Sequence, residues 1–124
     1  MFEKIVKAFS EHDKESLKFL LSEDVYNDFD AEIERRISSG QRHEVTIVSV
    51  NPGEIVSATS ENGIASVSIK FISEQILLIK DVNTKELLSG NPSKIVRVED
   101  IWTFSKVIKS KDNIWKLVGT GGNE

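Results

Sequence analysis

The chain opens on helical spacing. Phe2, Ile5, Val6 and Phe9 fall on one side of a helical wheel, with Glu3, Lys4, Lys7 and Ser10 elsewhere on it, which predicts a short amphipathic helix. Asp13 stands where a cap is needed for a second helix, Lys14 to Leu21, whose apolar edge is Leu17, Leu20 and Leu21. Asp24 is placed to cap a third. In that helix Val25, Phe29, Ile33 and Ile37 recur every fourth residue and Tyr26 widens the stripe, until Ser38-Ser39-Gly40 ends it.

From His43 the period changes from helical to about two, and β-branched residues dominate Val45 to Val50 before Pro52-Gly53 breaks the strand. Ile55 to Glu61 is a second extended stretch. Asn62-Gly63 after it accepts positive φ at both centres of a two-residue hairpin turn, and so pairs it with Ile64 to Ile72. There Ala65, Val67, Ile69 and Phe71 share one face against Ser66, Ser68 and Lys70 on the other. A bulge is expected at Ser73-Glu74-Gln75, where the apolar pattern slips, with the strand resuming through Ile79. Asp81 to Lys85 and Gly90-Asn91-Pro92 read as turns.

Between Lys94 and Ile108 the even positions Val96, Val98, Trp102, Phe104 and Ile108 are apolar, while the odd ones include Arg97, Glu99, Thr103 and Ser105. That is a half-buried strand of about 15 residues, ~50 Å if straight at ~3.3 Å each, too long for so small a domain unless it bends. Lys111-Asp112-Asn113 turns the chain into a last strand, Ile114 to Thr120, bearing Trp115 and Leu117. The expected fold is α+β: helices over about 2–39 on one face of a strongly curved antiparallel sheet over about 43–120, a half-open cone. One domain covers 1–120 and 121–124 is a loose tail. Phe29 and Ile33 are expected to sit against an inward sheet face carrying Val98, Trp102 and Phe104.

Composition narrows what this cone does. A chain of 124 residues, 39% hydrophobic, suits one core. Acidic residues outnumber basic ones, 20 to 16, and the lysines are mixed among glutamates, so no stripe suits phosphate neutralisation and nucleic acid is not the expected partner. Without cysteine there is no disulfide, thiolate nucleophile or sulfur-ligated zinc. The longest apolar runs, such as Ile76 to Ile79, fall far short of the roughly 20 residues of a membrane-spanning helix. The abrupt helical start at Met1-Phe2-Glu3 leads to the expectation of an upstream hydrophobic anchor in the natural gene.

Candidate chemistry is sparse. His12 and His43 read as surface histidines with no second ligand at metal-binding spacing, so no metal or other cofactor is expected. No nucleophile elbow, phosphate loop or dinucleotide fingerprint is present. Asp100 shares the inward face of its strand with Val98 and Trp102. Burial there would raise its pKa and suit it to act as the general base of an isomerase or dehydratase, with Tyr26 as a second polar group. A bulge that turns Asp100 outward, or pairing with Arg35, Arg36 or Arg97, is the preferred account, since one carboxylate is not a catalytic apparatus. Trp102 and Trp115 suit either the core or ligand stacking. Lys106, Lys109, Lys111 and Lys116 gather positive charge at the last hairpin, a site for anionic lipid or simply a solvated turn.

One resemblance covers nearly the whole chain. Phe2-x-x-Ile5-Val6-x-Ala8-Phe9, then Asp13-x-x-x-Leu17-Lys18-x-x-Leu21-Ser22, then Val25-Tyr26-x-x-Phe29-x-x-x-Ile33-x-x-Arg36 resembles the opening of the Tim44-like domain family. Val98-x-Asp100-x-Trp102-Thr103-Phe104, with Trp115-x-Leu117, is similar to that family's last hairpin. The resemblance implies the nuclear-transport-factor-two-like cone and a role in tethering at a membrane, as the mitochondrial member tethers a chaperone motor to the preprotein translocase. It points to a bacterial member at the inner membrane. On this basis the chain is expected to be a non-catalytic binding domain of an inner-membrane-associated protein, linked to protein translocation or membrane-protein assembly. It would use Tyr26, Phe29, Ile33, Val98, Asp100, Trp102 and Phe104 to hold a protein partner, with anionic lipid as a further partner.

Overall fold

The computed structural model describes residues 1–112 and 114–120. The turn expected at Lys111-Asp112-Asn113 falls outside the described residues at Asn113, as does the tail at 121–124. Three helices come first: α1 (Phe2–Ser10), α2 (Lys14–Leu20) and α3 (Glu23–Ser38). Six strands follow: β1 (Gln41–Val50), β2 (Glu54–Glu61), β3 (Ile64–Asp81), β4 (Leu87–Gly90), β5 (Val96–Val107) and β6 (Lys116–Gly119). All strand pairings are antiparallel, in an open sheet covered on one face by the helices, the expected α+β arrangement.

Asp13 caps α2 as its position predicts, its carboxylate accepting from the Ser16 amide at 3.2 Å and the Ser16 hydroxyl at 2.7 Å. The cap of α3, however, is Ser22 and not Asp24. The cause is tertiary. Leu21 forms a parallel bridge with Leu117, and the Ser22 amide donates to the Leu117 carbonyl at 2.9 Å, which holds Ser22 extended at the point where the helix must begin. Its hydroxyl then accepts from the Val25 amide, and Asp24 becomes a first-turn acid beside the positive end of the helix dipole.

β3 organises the sheet. One of its edges pairs with β2 and then β1, and the other with β5 and then β4, while β6 adds beyond β5. Asn62 and Gly63 both have positive φ, 52° and 77°, and close the β2–β3 hairpin as their sequence demands. The expected bulge at Ser73–Gln75 is not in β3. The β3–β5 register runs unbroken from Ile64↔Val107 to Gln75↔Val96, and the irregularity falls on β1, between Ile47 and Ser49. Odd positions of β3 stay on the same side of the sheet throughout, the side that the helices cover as far as Gln75. What looked like a slip is two buried polar residues at inward positions, Ser73 and Gln75, joined by a 2.8 Å hydrogen bond from Gln75 Nε2 to Ser73 Oγ. β4 goes unpredicted because four residues ending in glycine carry no readable alternation.

The core lies between the helices and this inward face. Ile5, Leu17, Leu21, Ile33 and Leu117 are fully enclosed. Phe2 is central to it, its ring 4.7 Å from Phe71 and 4.6 Å from Trp102 between centroids. The helix ring against Trp102 is therefore that of Phe2 on α1. Phe29, expected there, is half-buried and packs instead against Phe9 of α1 at 4.5 Å. α1 reaches Trp102 first because it begins at the inward face, while α3 lies along β1 and β6.

The two histidines meet at one junction and are half-buried, contrary to the surface reading. His12 follows α1 with φ 57°, a left-handed conformation uncommon outside glycine, and its Nε2 is buried without a hydrogen-bond partner. His43 begins the sheet nearby. Burial first, then Arg36, Lys14 and Arg42, lowers the His12 pKa. Burial and then Arg36, opposed by Glu32 and aided by His12, lowers that of His43.

Two predictions follow from this packing. Phe2→Ala should cost about 3–5 kcal/mol, and Phe29→Ala less because that ring is already half-solvated. Equilibrium chemical denaturation of both variants checks the order, and a reversed order would displace Phe2 from the centre of the core. For the histidines, the fold favours the neutral imidazoles. Their contribution is present above the ordinary value of 6.5 and lost as pH falls through the lower folded values. Tm should therefore fall as the pH is taken below about 6.5. His12→Asn, which tolerates the left-handed backbone, should flatten that drop in thermal melts across pH.

Candidate functional site

An open cavity of about 1010 Å³ lies between the helix layer and the wider end of the sheet. Ile5, Val6 and Phe9 of α1 and Phe29 of α3 form its helical wall; Val45, Leu77, Ile79, Val96 and Trp102 form its sheet wall. These positions follow from the same alternation that builds the core. Beyond the reach of α1 and α3, the inward residues of β3 and β5 no longer meet a helix, and Leu77 is 41% exposed although it faces inward. One rim is held close by Gly90, at φ 95°, where any β-carbon would come within 2.2 Å of the Leu77 carbonyl oxygen.

Few charges enter this space. Arg36 lies over the Phe9 ring, 4.2 Å from its centroid, and donates to Glu32 at 2.9 Å, so its charge is already matched at the rim. Arg35 and then Arg36 hold the Glu32 carboxyl down at about 2, against the opposing effect of burial. His43, Glu44 and Lys94 also lie on the rim, with Ser10, Ser89, Asn91 and Thr120 as uncharged polar neighbours, and Glu44 pairs with Lys80 at 2.9 Å.

Asp100 faces this cavity. Its backbone pairs with Phe71 in unbroken register, so no bulge turns it outward. The side chain is half-buried, and loss of solvent pushes its carboxyl above the ordinary value of 3.8. No hydrogen bond or ion pair reaches it among the described residues. The arginines considered as partners are engaged elsewhere, Arg35 and Arg36 with Glu32 and Arg97 with Glu99.

Of the seven residues singled out from sequence, Phe29, Asp100 and Trp102 meet at the cavity. Ile33 and Phe104 are buried in the core, and Tyr26 packs against that core half-exposed. Val98 is half-buried opposite Ser73 and is not a wall of the cavity. Among the cavity residues that sequence reading did not place there are Arg36, His43 and Leu77. Leu77 was findable, since it continues the odd-numbered face of β3; Arg36 and His43 were not, because nothing local joins the end of one helix to the start of a strand. Among the described residues no group of three or more His, Asp or Glu converges to hold a metal ion. The arrangement can bind an apolar group and offer it one unmatched carboxylate.

The lysines of the last hairpin are placed differently. Lys109, Lys111 and Lys116 are exposed, and Lys116 joins Lys4, Lys7, Lys18 and the exposed Phe19 around a shallow groove. Glu11, Asp13 and Glu15 line the same groove and balance these cations. No helix among the described residues is long and apolar enough to cross a membrane.

No curated protein matches this sequence. Among solved structures, the intermembrane space region of the chloroplast protein ARC6 is similar, with a TM-score of 0.60 over 96% of this chain and 86% of that one. Identity is 14%, so the likeness extends to the fold alone. The sequence model of the Tim44-like domain matches residues 1–122, through all three helices and every strand. The chain thus belongs to the Tim44-like domain family.

Proposed function

We propose that this chain is a non-catalytic binding and tethering domain of an inner-membrane-associated bacterial protein, linked to protein translocation or membrane-protein assembly. The observation that carries this reading is the cavity's lining: a mostly apolar wall with one carboxylate to which, among the described residues, no hydroxyl or imidazole of the same cavity is hydrogen-bonded. Membership of the Tim44-like family supports a membrane-associated setting. The main partner is a protein held at the cavity and the sheet beside it. Anionic lipid is a further partner through Lys109, Lys111 and Lys116, each contributing about 1 kcal/mol when close to a charged surface.

Asp100 also supports a second reading, an isomerase or dehydratase with this residue as general base. In its favour are its position on the cavity and its raised pKa. Against it, Tyr26 is not on the cavity, and neither His43 nor Tyr26 is hydrogen-bonded to Asp100.

Two experiments decide between them. A photo-crosslinking residue in place of Leu77, in the natural full-length protein in its own membranes, should trap a discrete protein adduct that survives Asp100→Asn. Adducts with lipid alone, or none at all, would remove the protein-holding role.

Asp100→Asn also tests the carboxylate itself. A folded pKa raised above the unfolded one favours the protonated form, so stability is fullest below about 3.8 and lost as pH rises through the folded value. The Asn variant should thus melt higher than the native chain near neutral pH and converge with it in acid. Turnover of enolisable carbonyl compounds that vanishes in the same variant would establish the enzyme instead.

A further inference from the structure

Among the described residues, β5 is only partly paired on its outer edge. β3 covers its inner edge from Val96 to Val107, but β6 meets the other edge through Thr103, Phe104 and Ser105 alone. Among the described residues, the backbone from Val96 to Ile101 has no strand on that side. This open stretch borders the cavity, whose wall includes Val96 and Asp100. β6 runs antiparallel to β5 and ends at Gly119, so its line extended leads along the open stretch from Ile101 toward Val96.

Taken with the reading of the chain as a protein-holding domain, on which this inference rests, we propose that an extended segment of a partner protein adds to β5 as an antiparallel strand in line with β6. Unmade backbone hydrogen bonds supply the attraction, and the side chains that alternate inward supply selectivity. Residues facing Val96 and Val98 would be apolar. The residue facing Asp100 would carry a cation or a hydrogen-bond donor, Lys or Arg best, because this carboxylate has no partner within the described chain and sits where a strand neighbour's side chain would enter the cavity. Two features single out this edge among those the open sheet leaves. It continues an existing strand pairing, and it carries an unmatched charge beside an apolar hollow.

The probe is the capped peptide Ser-Lys-Ser-Val-Thr-Val-Thr, which in antiparallel register sets Lys opposite Asp100 and valines opposite Val98 and Val96. Hydrogen exchange of the full chain should show the edge-facing amides between Val96 and Ile101 becoming protected when it is added. An analogue N-methylated at alternate backbone positions keeps every side chain but cannot pair, and should not protect them. Replacing Lys by Glu should weaken binding by about tenfold. Asp100→Asn should erase most of that difference while leaving edge protection in place.

Equal binding of the N-methylated peptide, or protection confined to β1 or β2, would overturn the proposal. So would edge-facing amides of β5 that already exchange slowly before peptide is added, or sedimentation showing that a second copy of the chain occupies the edge. Failure of the peptide alongside protein crosslinks at Leu77 would leave the tethering role standing and remove strand addition as its mode.

Discussion

The structure depends on the continuity of β3. Eighteen residues in one unbroken strand, paired along both edges, give the helices a single inward face to cover. Phe71 at its middle meets Phe2 and Trp102, which fixes α1 on the sheet. Past that point the same face runs on to Leu77 and Ile79 without a helix over it. The cavity is the part of this face that three short helices are too small to cover.

The tie between Leu21 and Leu117 sets the helices' placement from the other side. It joins the end of α2 to the last strand, and the loop it anchors becomes the N-cap of α3. A buried side chain and two backbone groups thus settle where a helix starts, overriding the choice that local capping preference would make between Ser22 and Asp24. Surface ion pairs add little to this. Lys14 joins α2 to Asp30 and Glu34 of α3, but these groups are substantially exposed, and such pairs contribute modestly in water.

Local chemistry was legible in the sequence; meetings across the fold were not. Asn62-Gly63 announced its hairpin because both residues accept positive φ, and Asp13 its helix because Ser16 lies within reach of the carboxylate. The even positions of β5 announced an inward face, and with it the direction of Asp100. Ser73 and Gln75 misled because alternation is read from hydrophobicity, and a buried polar pair breaks the pattern without breaking the strand. Phe2 finding Trp102, and His12 finding His43, depend on how α1 crosses the sheet, which no short window contains. Part of the cavity was visible through Phe29, Asp100 and Trp102. Its rim was not, since Arg36 and Gly90 matter there through a stacked ring and a close backbone approach.

The buried hydrogen bond between Gln75 and Ser73 has a consequence for how the chain finds its native alignment. Strict alternation protects a sheet against a one-residue slide, which would turn every apolar side chain to water, but it is nearly blind to a slide of two. A uniform apolar face on β3 would let β5 settle at several such offsets with little difference in energy. Two polar side chains at fixed places act like an index mark on a ruler. Slid by two residues, Ser73 would lie opposite Asp100 and Gln75 opposite Val98; slid by four, they would lie opposite Trp102 and Asp100, and in either case the arrangement of Phe71 beside Trp102 would change with them. The pair that hides the strand in the sequence is thereby well placed to keep the folded strand in register.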